Sequence, residues 1–503
     1  MKRLMCLIAA LVMLIPSVSL GLGDHYENWY EIFVYSFQDS NGDGIGDLNG
    51  VRSRLDYIEN MGYTGLWLMP IMPSPSYHKY DVTDYYGVDS QYGTLEDFRA
   101  LADECHARKI KLIVDLPINH SSSLHPYFLL ACEALKNGEV QNPYVDFYCF
   151  SKSDGQKQVP LDGTDWYYEE QFSGGGMPDL NLDSEAVREE IRHIFDFWLN
   201  DCGVDGFRLD AVTSYYAADT ARNVAFLSWL KKLAEEVRPG AYLVGEAWAG
   251  LTVIAEYYQS GIDSFFLFPA SQAEGSIAKT VRARSKPAST YVKAMQQYEE
   301  ALGDAIWAPF LANHDTGRAI GSLQARQSLQ RAKFAEGILN MMGGATFTYY
   351  GEEIGMVGSG DDPNKRLAMY WNDHDMTQQP PGVTKTEYFY PCVDEQLNDE
   401  NSLLSYCRRL NHLKLAVPSI ARGKNEFVFE DDSLCVMKRT WNGEESYIII
   451  NFSSSKARDY SLNVSGLALA GVLDAGETKS SVCVEDDGAS LTLEPCAIVV
   501  LTK

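Results

Sequence analysis

Four short stretches carry carboxylates, an arginine and histidines that could do chemistry together. They read Asp115-Leu-Pro-Ile-Asn119-His120, Gly206-Phe-Arg208-Leu-Asp210-Ala211, Gly245-Glu246-Ala-Trp248 and Asn313-His314-Asp315. Acids that cluster without a Cys/His metal set suit glycoside hydrolysis, in which one carboxylate attacks and another protonates the leaving oxygen. Mutual repulsion raises the pKa of at least one member, so one acid stays protonated near neutrality. Arg208 lies two residues before Asp210, on the same face of an extended chain. A cation there would hold Asp210 ionised, as a nucleophile requires, and would leave Glu246 as the acid/base.

These stretches need a scaffold that brings them together. Apolar runs rich in β-branched and aromatic residues recur at Trp29–Phe37, Gly65–Pro70, Ile110–Leu116, Val204–Asp210, Tyr242–Glu246, Ile262–Phe268, Pro309–Ala312 and Ala345–Tyr349. Each is too short for a core helix and predicts a strand. Helical stretches fall between them, at Thr94–Arg108, Ser184–Asn200, Ala221–Val237 and Gln324–Met342. Eight strands alternating with helices predict an α/β protein, a closed (β/α)8 TIM barrel with its chemistry at the C-terminal strand ends. The four motifs then meet on one rim. A polar, aromatic stretch over 121–183 interrupts the rhythm after the third strand and predicts an inserted small domain. After about Leu410 alternating strands predict an all-β domain. The expected division is a leader over 1–22, barrel segments at 24–120 and 184–410, the insertion at 121–183, and a C-terminal β domain at 411–503.

The 503 residues carry a formal charge of −27, with 46% hydrophobic and 12% aromatic residues. Such a chain buries a large core and lacks the basic face that nucleic acid or an anionic membrane demands. Lys2 and Arg3, the apolar run Leu4–Ile15, Pro16 and the small residues Ser17–Gly21 form a secretory leader pattern, with cleavage expected between Leu20 and Asp24. A secreted protein, extracellular or periplasmic, monomeric and free of the membrane after cleavage, is expected. Beyond Cys6 nine cysteines remain, an odd number with no CxxC pair, several of them in apolar segments. Buried free thiols are the expectation.

The connection after the first strand reads Asp39-Ser-Asn41-Gly-Asp43-Gly44-Ile45-Gly-Asp47. Oxygen ligands at every second position, a glycine for the tight turn and the Ile45 main-chain carbonyl reproduce the EF-hand rhythm without its final acid, since position twelve is Gly50. A structural Ca2+ is expected on Asp39, Asn41, Asp43, Ile45 and Asp47, away from the chemistry. The acids would repel a phosphate, which argues against a phosphate-loop reading of the glycines.

Taken in order, DLPINH, GFRLDAV, GEAW and NHD resemble the four conserved segments of the alpha-amylase family, glycoside hydrolase family 13. That resemblance covers nearly the whole chain after Trp29 and implies a barrel, an inserted domain after its third strand and a C-terminal β-sandwich. It implies Asp210 as nucleophile, Glu246 as general acid/base and Asp315 as the transition-state stabilising acid. It further implies that Arg208, His120 and His314 hold the sugar on the non-reducing side of the cut and that Tyr80 stacks on it. Similar loops after the first strand bind calcium in several family members. A second family calcium site uses Lys-His shortly after the nucleophile; Thr213-Ser214 stand here, and that site is expected to be absent or altered.

In exo-acting relatives an Asp after the stacking tyrosine and an Arg in a segment resembling Lys365-Arg366-Leu-Ala-Met369-Tyr-Trp371 bind the terminal glucose together. Asp81 and Arg366 match these positions, either as a substrate clamp or as a structural ion pair. Met177-Pro-Asp179-Leu-Asn181 resembles the neopullulanase form of its segment within an otherwise oligo-1,6-glucosidase-like chain, as in an intermediate bacterial alpha-amylase group. Ala211 replaces the Val frequent in α-1,6 specialists. The resemblance therefore implies α-1,4 hydrolysis of starch and maltooligosaccharides. The alternatives are an exo-acting α-glucosidase or glucosyl-transferring enzyme, and a non-catalytic binding module, which the three retained acids oppose.

Overall fold

The structure, a computed structural model, describes residues 24–155 and 157–503; the leader expected over residues 1–22 lies outside the described residues. Eight parallel strands, Asn28–Ile32, Gly65–Leu68, Lys111–Leu116, Gly206–Leu209, Tyr242–Gly245, Ser264–Phe266, Ile306–Ala308 and Thr346–Tyr349, follow one another around a single sheet, the eighth beside the first. The Ala345 N–H donates to Trp307 O and the Phe347 N–H to Pro309 O, which joins the seventh strand to the eighth and closes the barrel. The expected strand at Pro309–Ala312 is corrected to Ile306–Ala308. Pro309 has no N–H to donate, so the ladder stops there apart from one bridge between Phe310 and Phe347. The first strand likewise ends at Ile32, and a 3-10 turn over Val34–Ser36 takes the rest of its apolar run.

Helices begin where capping side chains fall. Thr94 and Asp97 form a capping box at the head of Leu95–Ala107, while Ser184, Asp219 and Ser328 accept backbone N–H groups at the heads of Glu185–Asp196, Thr220–Val237 and Leu329–Asn340. The barrel interior has two layers, because alternate residues of a strand face inward. Below, Trp29 stacks on Tyr242 and Phe347 with ring centroids 5.1 and 5.6 Å apart, and Phe266 packs on Trp67 and Phe347. Further along, at the C-terminal ends of the first, third, fourth and fifth strands, Glu31, Asp115, Arg208 and Glu246 are buried. A Cβ on Gly206 would lie 1.8 Å from Tyr242 O, so glycine at this position allows the fourth and fifth strands to approach.

The insertion carries the helix Pro126–Lys136 and three short strands, Phe150–Ser151, Gln158–Pro160 and Tyr167–Glu169, paired as an antiparallel sheet. Beyond the barrel, a five-stranded antiparallel sheet (Lys424–Glu430, Leu434–Trp441, Glu444–Asn451, Ala497–Thr502 and Ala468–Asp474) faces a three-stranded one (Arg458–Leu462, Gly488–Leu493 and Ser481–Glu485) across Leu434, Val436, Ile449, Leu491 and Val499. The helix Leu403–Ala416 runs through position 410, where the β domain was expected to begin, and the first β strand starts at Lys424. Among the described residues all nine cysteines are free thiols, seven of them buried, with Cys149 half-buried and Cys483 exposed. Burial pushes the Cys105 thiol up to about 12.

Arg439 of the β domain reaches back to the barrel and donates to Met341 O (3.0 Å), Met342 O (2.8 Å) and Gly423 O (3.3 Å). These buried carbonyls would be left unpaired by Arg439→Leu. A loss of about 2–4 kcal/mol in urea unfolding is expected for that variant, from the desolvation cost of unpaired polar groups.

Candidate active site

Arg208, with no exposed surface, is the centre of the upper layer. Its Nη1 donates to both oxygens of Asp115 at 2.9 and 3.1 Å and to Asp210 Oδ1 at 2.5 Å. Its Nη2 faces Glu246 Oε1 at 3.0 Å, an ion pair whose angle is too poor for a hydrogen bond. The register of the sheet explains this convergence, since Asp115 and Arg208 are direct partners on the third and fourth strands. Burial pushes the Asp115 carboxyl up to about 7 against the pull of Arg208. Burial likewise pushes Glu246 up to about 8, with the Asp210 and Asp315 charges adding to the rise and Arg208 opposing it. Glu246 Oε2 accepts the N–H of Ala211, whose backbone is left-handed with φ +47°.

The second half of the site grows from the loop after the seventh strand. Asn313 Oδ1 accepts the N–H groups of Asp315 and Thr316 and shapes the turn that presents His314 and Asp315. His314 Nδ1 meets Glu31 Oε1 at 2.5 Å, and its Nε2 meets Tyr80 Oη at 2.6 Å and Asp315 Oδ2 at 3.0 Å. Burial disfavours charge on His314, yet Asp315 and Glu31 outweigh it and raise the imidazole to about 10. Burial would raise Asp315, but His314 and Arg366 hold it well below the usual carboxylate range. Tyr80 stacks on His314 with ring centroids 5.6 Å apart and donates to Asp115 Oδ2 at 3.0 Å. Lys79, buried and left-handed at φ +66°, pins that loop through Asp89 at 2.8 Å.

His120 lies buried at the end of the third strand with its Nε2 unpartnered, and burial lowers its pKa. Phe172 of the insertion meets its ring edge-on at 5.3 Å. Asp81 and Arg366 do not pair with each other. Asp81 accepts the hydroxyls of Ser74 (2.6 Å) and Ser76, while Arg366 Nη2 donates to Asp315 Oδ1 at 2.8 Å and its Nε to His314 O at 3.2 Å. Asn119 donates to Asp179 Oδ1 at 3.2 Å.

Sequence reasoning passed over four residues of this rim. Glu31 is the lone acid in a fully buried strand, Asn28-Trp-Tyr-Glu31-Ile32, and that isolation was its signal. Asp115 was visible only as part of its motif. Trp248, half exposed, lies on Phe268 with centroids 4.9 Å apart, and Phe172 of the insertion reaches His120. Spacing carried no signal for either aromatic.

The loop over 39–47 is wound by its own side chains. Asp39 Oδ1 accepts the N–H groups of Asn41 and Gly42, Asn41 Oδ1 that of Asp43, and Asp43 Oδ1 that of Ile45. Asp47 accepts from Ser40 and caps the next helix through Gly50 N at 2.7 Å. Gly44 takes the left-handed backbone, φ +92°, at the expected turn. Among the described residues no group of three His, Cys, Asp or Glu side chains is gathered closely enough to enclose a metal ion.

An alpha-amylase catalytic-domain family model matches residues 31–423, which include every motif of this rim. The chain belongs to the alpha-amylase family. It is a glycoside hydrolase. It is 36% identical over 443 residues to alpha-amylase 3 of Dictyoglomus thermophilum, covering 85% of each chain. It is 28% identical over 508 residues to an oligo-1,6-glucosidase of Parageobacillus thermoglucosidasius, covering 84% of this chain and 89% of that one. The solved structure of Eubacterium rectale Amy13B superposes with a TM-score of 0.89 at 42% identity over 96% of both chains. An alpha-amylase from H. orenii gives 0.82 at 34% identity, over 95% of this chain and all of that one.

A buried carboxyl held above its ordinary range keeps a proton that the unfolded chain has released, so its contribution to stability falls as pH rises. Arg208 opposes that rise at Asp115 and Glu246. Arg208→Leu is expected to fold at pH 5 and to lose about 3–5 kcal/mol of stability by pH 8, the cost of buried charges without a partner. Thermal melting at the two pH values measures it.

Proposed function

We propose that this glycoside hydrolase cleaves internal α-1,4-glucosidic bonds of starch and maltooligosaccharides with retention of configuration. One observation carries the chemistry: Arg208 binds Asp210 while Glu246, on the next strand, is pushed up to about 8. In this reading Asp210 attacks the anomeric carbon, and Glu246 gives its proton to the departing glycosidic oxygen. A glycosyl ester forms on Asp210; Glu246, now a base, takes a proton from the water that cleaves it. Asp315, Arg208, His120 and His314 surround the sugar ring, with Tyr80 as the stacking face.

The α-1,4 endo preference is supported by the disposition of Asp81 and Arg366. A terminal-glucose clamp would use both side chains together, whereas Asp81 is bound to Ser74 and Ser76 and Arg366 to Asp315. The exo-acting α-glucosidase reading stands second, because Arg366 lies beside the site and oligo-1,6-glucosidases are among the relatives.

A structural Ca2+ on Asp39, Asn41, Asp43, Ile45 and Asp47 is part of the proposal, supported by the order of oxygen donors and the left-handed Gly44. Binding there would draw together side chains that now accept loop N–H groups. Secretion and a monomeric state belong to the same proposal; the leader pattern of residues 2–21 supports the first.

Asp210→Asn is expected to lower hydrolysis of maltoheptaose by at least about 10³-fold at unchanged melting temperature, as loss of a covalent nucleophile implies; retained turnover would overturn the assignment. Because Glu246 must hold its proton to act as acid, kcat/KM of the parent enzyme is expected to fall as pH rises through about 8. Mixed maltooligosaccharides from starch with isomaltotriose untouched are the expected products, whereas glucose released singly would favour the exo reading. Chelator is expected to lower the melting temperature; an unchanged value would remove the calcium proposal.

A further inference from the structure

Glu31 is buried at 1% exposure on the first strand and is not among the groups that act in the proposed reaction. Its Oε1 lies 2.5 Å from His314 Nδ1, the ring nitrogen opposite the one that meets Asp315 and Tyr80. Proton counting fixes the state of that ring. Arg208 donates to both oxygens of Asp115, so Asp115 is an acceptor, and Tyr80 spends its single hydroxyl proton on Asp115 Oδ2. The Tyr80 oxygen can then only accept from His314, which places a proton on Nε2. At Nδ1 the ring faces a carboxylate and needs a second proton there. An imidazole between two carboxylates and a spent hydroxyl is a cation.

We infer that Glu31 is a positioning residue that fixes His314 as an imidazolium and thereby supplies the positive charge that holds Asp315 ionised. The assignment rests on the proposed glycosidase reading for its catalytic consequence, but the charge state of His314 stands on the contacts alone. The other groups around the ring are Asp115, Arg208, Glu246 and Arg366, the last bonded to His314 O, with the Trp67 ring edge-on at 5.8 Å. Arg208 and Arg366 oppose a charge on His314, so the ring depends on its carboxylate partners. Without the Glu31 charge, a neutral His314 would keep its one proton on Nε2, facing Tyr80 and Asp315, and its Nδ1 would become an acceptor. The ring would still donate to Asp315 but would bring it no positive charge.

Glu31→Gln keeps the shape and an acceptor for Nδ1 but removes the charge. Histidine-selective NMR titration, with the His314 resonance assigned from His314→Asn, reads the ring directly. His314 of the parent protein is expected to stay protonated beyond pH 9, and in Glu31→Gln to lose its proton at least one pH unit lower. In parallel, kcat/KM of Glu31→Gln on maltoheptaose should be near the parent's on the acid side and should fall further below the parent's at alkaline pH, where His314 also loses its proton. A neutral His314 at pH 8 in the parent, or the same titration in both proteins, would overturn the inference. So would an equal loss of rate at every pH with an unmoved titration, which assigns Glu31 to folding only. If the parent cuts no α-glucan, the proposed α-1,4-glucan reading fails while the titration still decides the role of Glu31.

Discussion

A guanidinium sealed inside a barrel is the constraint from which the rest of this site follows. Arg208 has no exposed surface and faces three carboxylates, from the third, fourth and fifth strands. Packing three acids this tightly without a cation would drive protons onto them or prise the strand ends apart. With the cation present, the acids are differentiated by their surroundings. Asp210 shares Nη1 in a hydrogen bond, whereas Glu246 has only a poorly angled ion pair and an N–H from Ala211, and burial raises its pKa against the pull of the arginine. Each carboxyl meets the one arginine differently.

On the opposite rim the arrangement is inverted. There the acid is held by cations rather than the cation by acids: His314 and Arg366 converge on Asp315. The two halves meet at Tyr80, whose hydroxyl touches Asp115 on one side and His314 on the other. Beneath both lies a floor of Trp29, Trp67, Phe266 and Phe347, so the charges have protein instead of water below them. That floor strengthens each electrostatic contact above it.

Much of this was legible in the chain. Seven of the eight barrel strands lie within the apolar runs or begin one residue before them, because parallel strands buried on both faces must be continuously apolar. The seventh was misplaced by its own run, in which Ile306–Ala308 and Phe310–Ala312 are equally apolar and the proline between them decides. Arg208, Asp210, Glu246 and Asp315 were legible because their neighbours form ordered motifs. Glu31 carried no motif; its isolation as the one acid of an apolar strand was its signal, and its contact with His314 gives its place. The partners of Asp81 and Arg366 were illegible for another reason. Sequence shows which charges are present, but pairing is chosen by loop geometry, and here the Ser74–Ser76 turn takes Asp81 first.

The thiols have a consequence of a different kind. Seven cysteines sit buried and unbridged, their pKa values raised by the same burial that hides them. While the fold holds, oxidants meet little thiolate, since reactivity follows access and ionisation. Once the chain opens in an oxidising medium, nine thiols become available at once and wrong pairings lock the opened state. Survival there is then governed by how often the molecule opens rather than by how favourable closing is. Durability for this protein becomes a matter of time, a half-life set by the unfolding barrier, even where its equilibrium stability is ample.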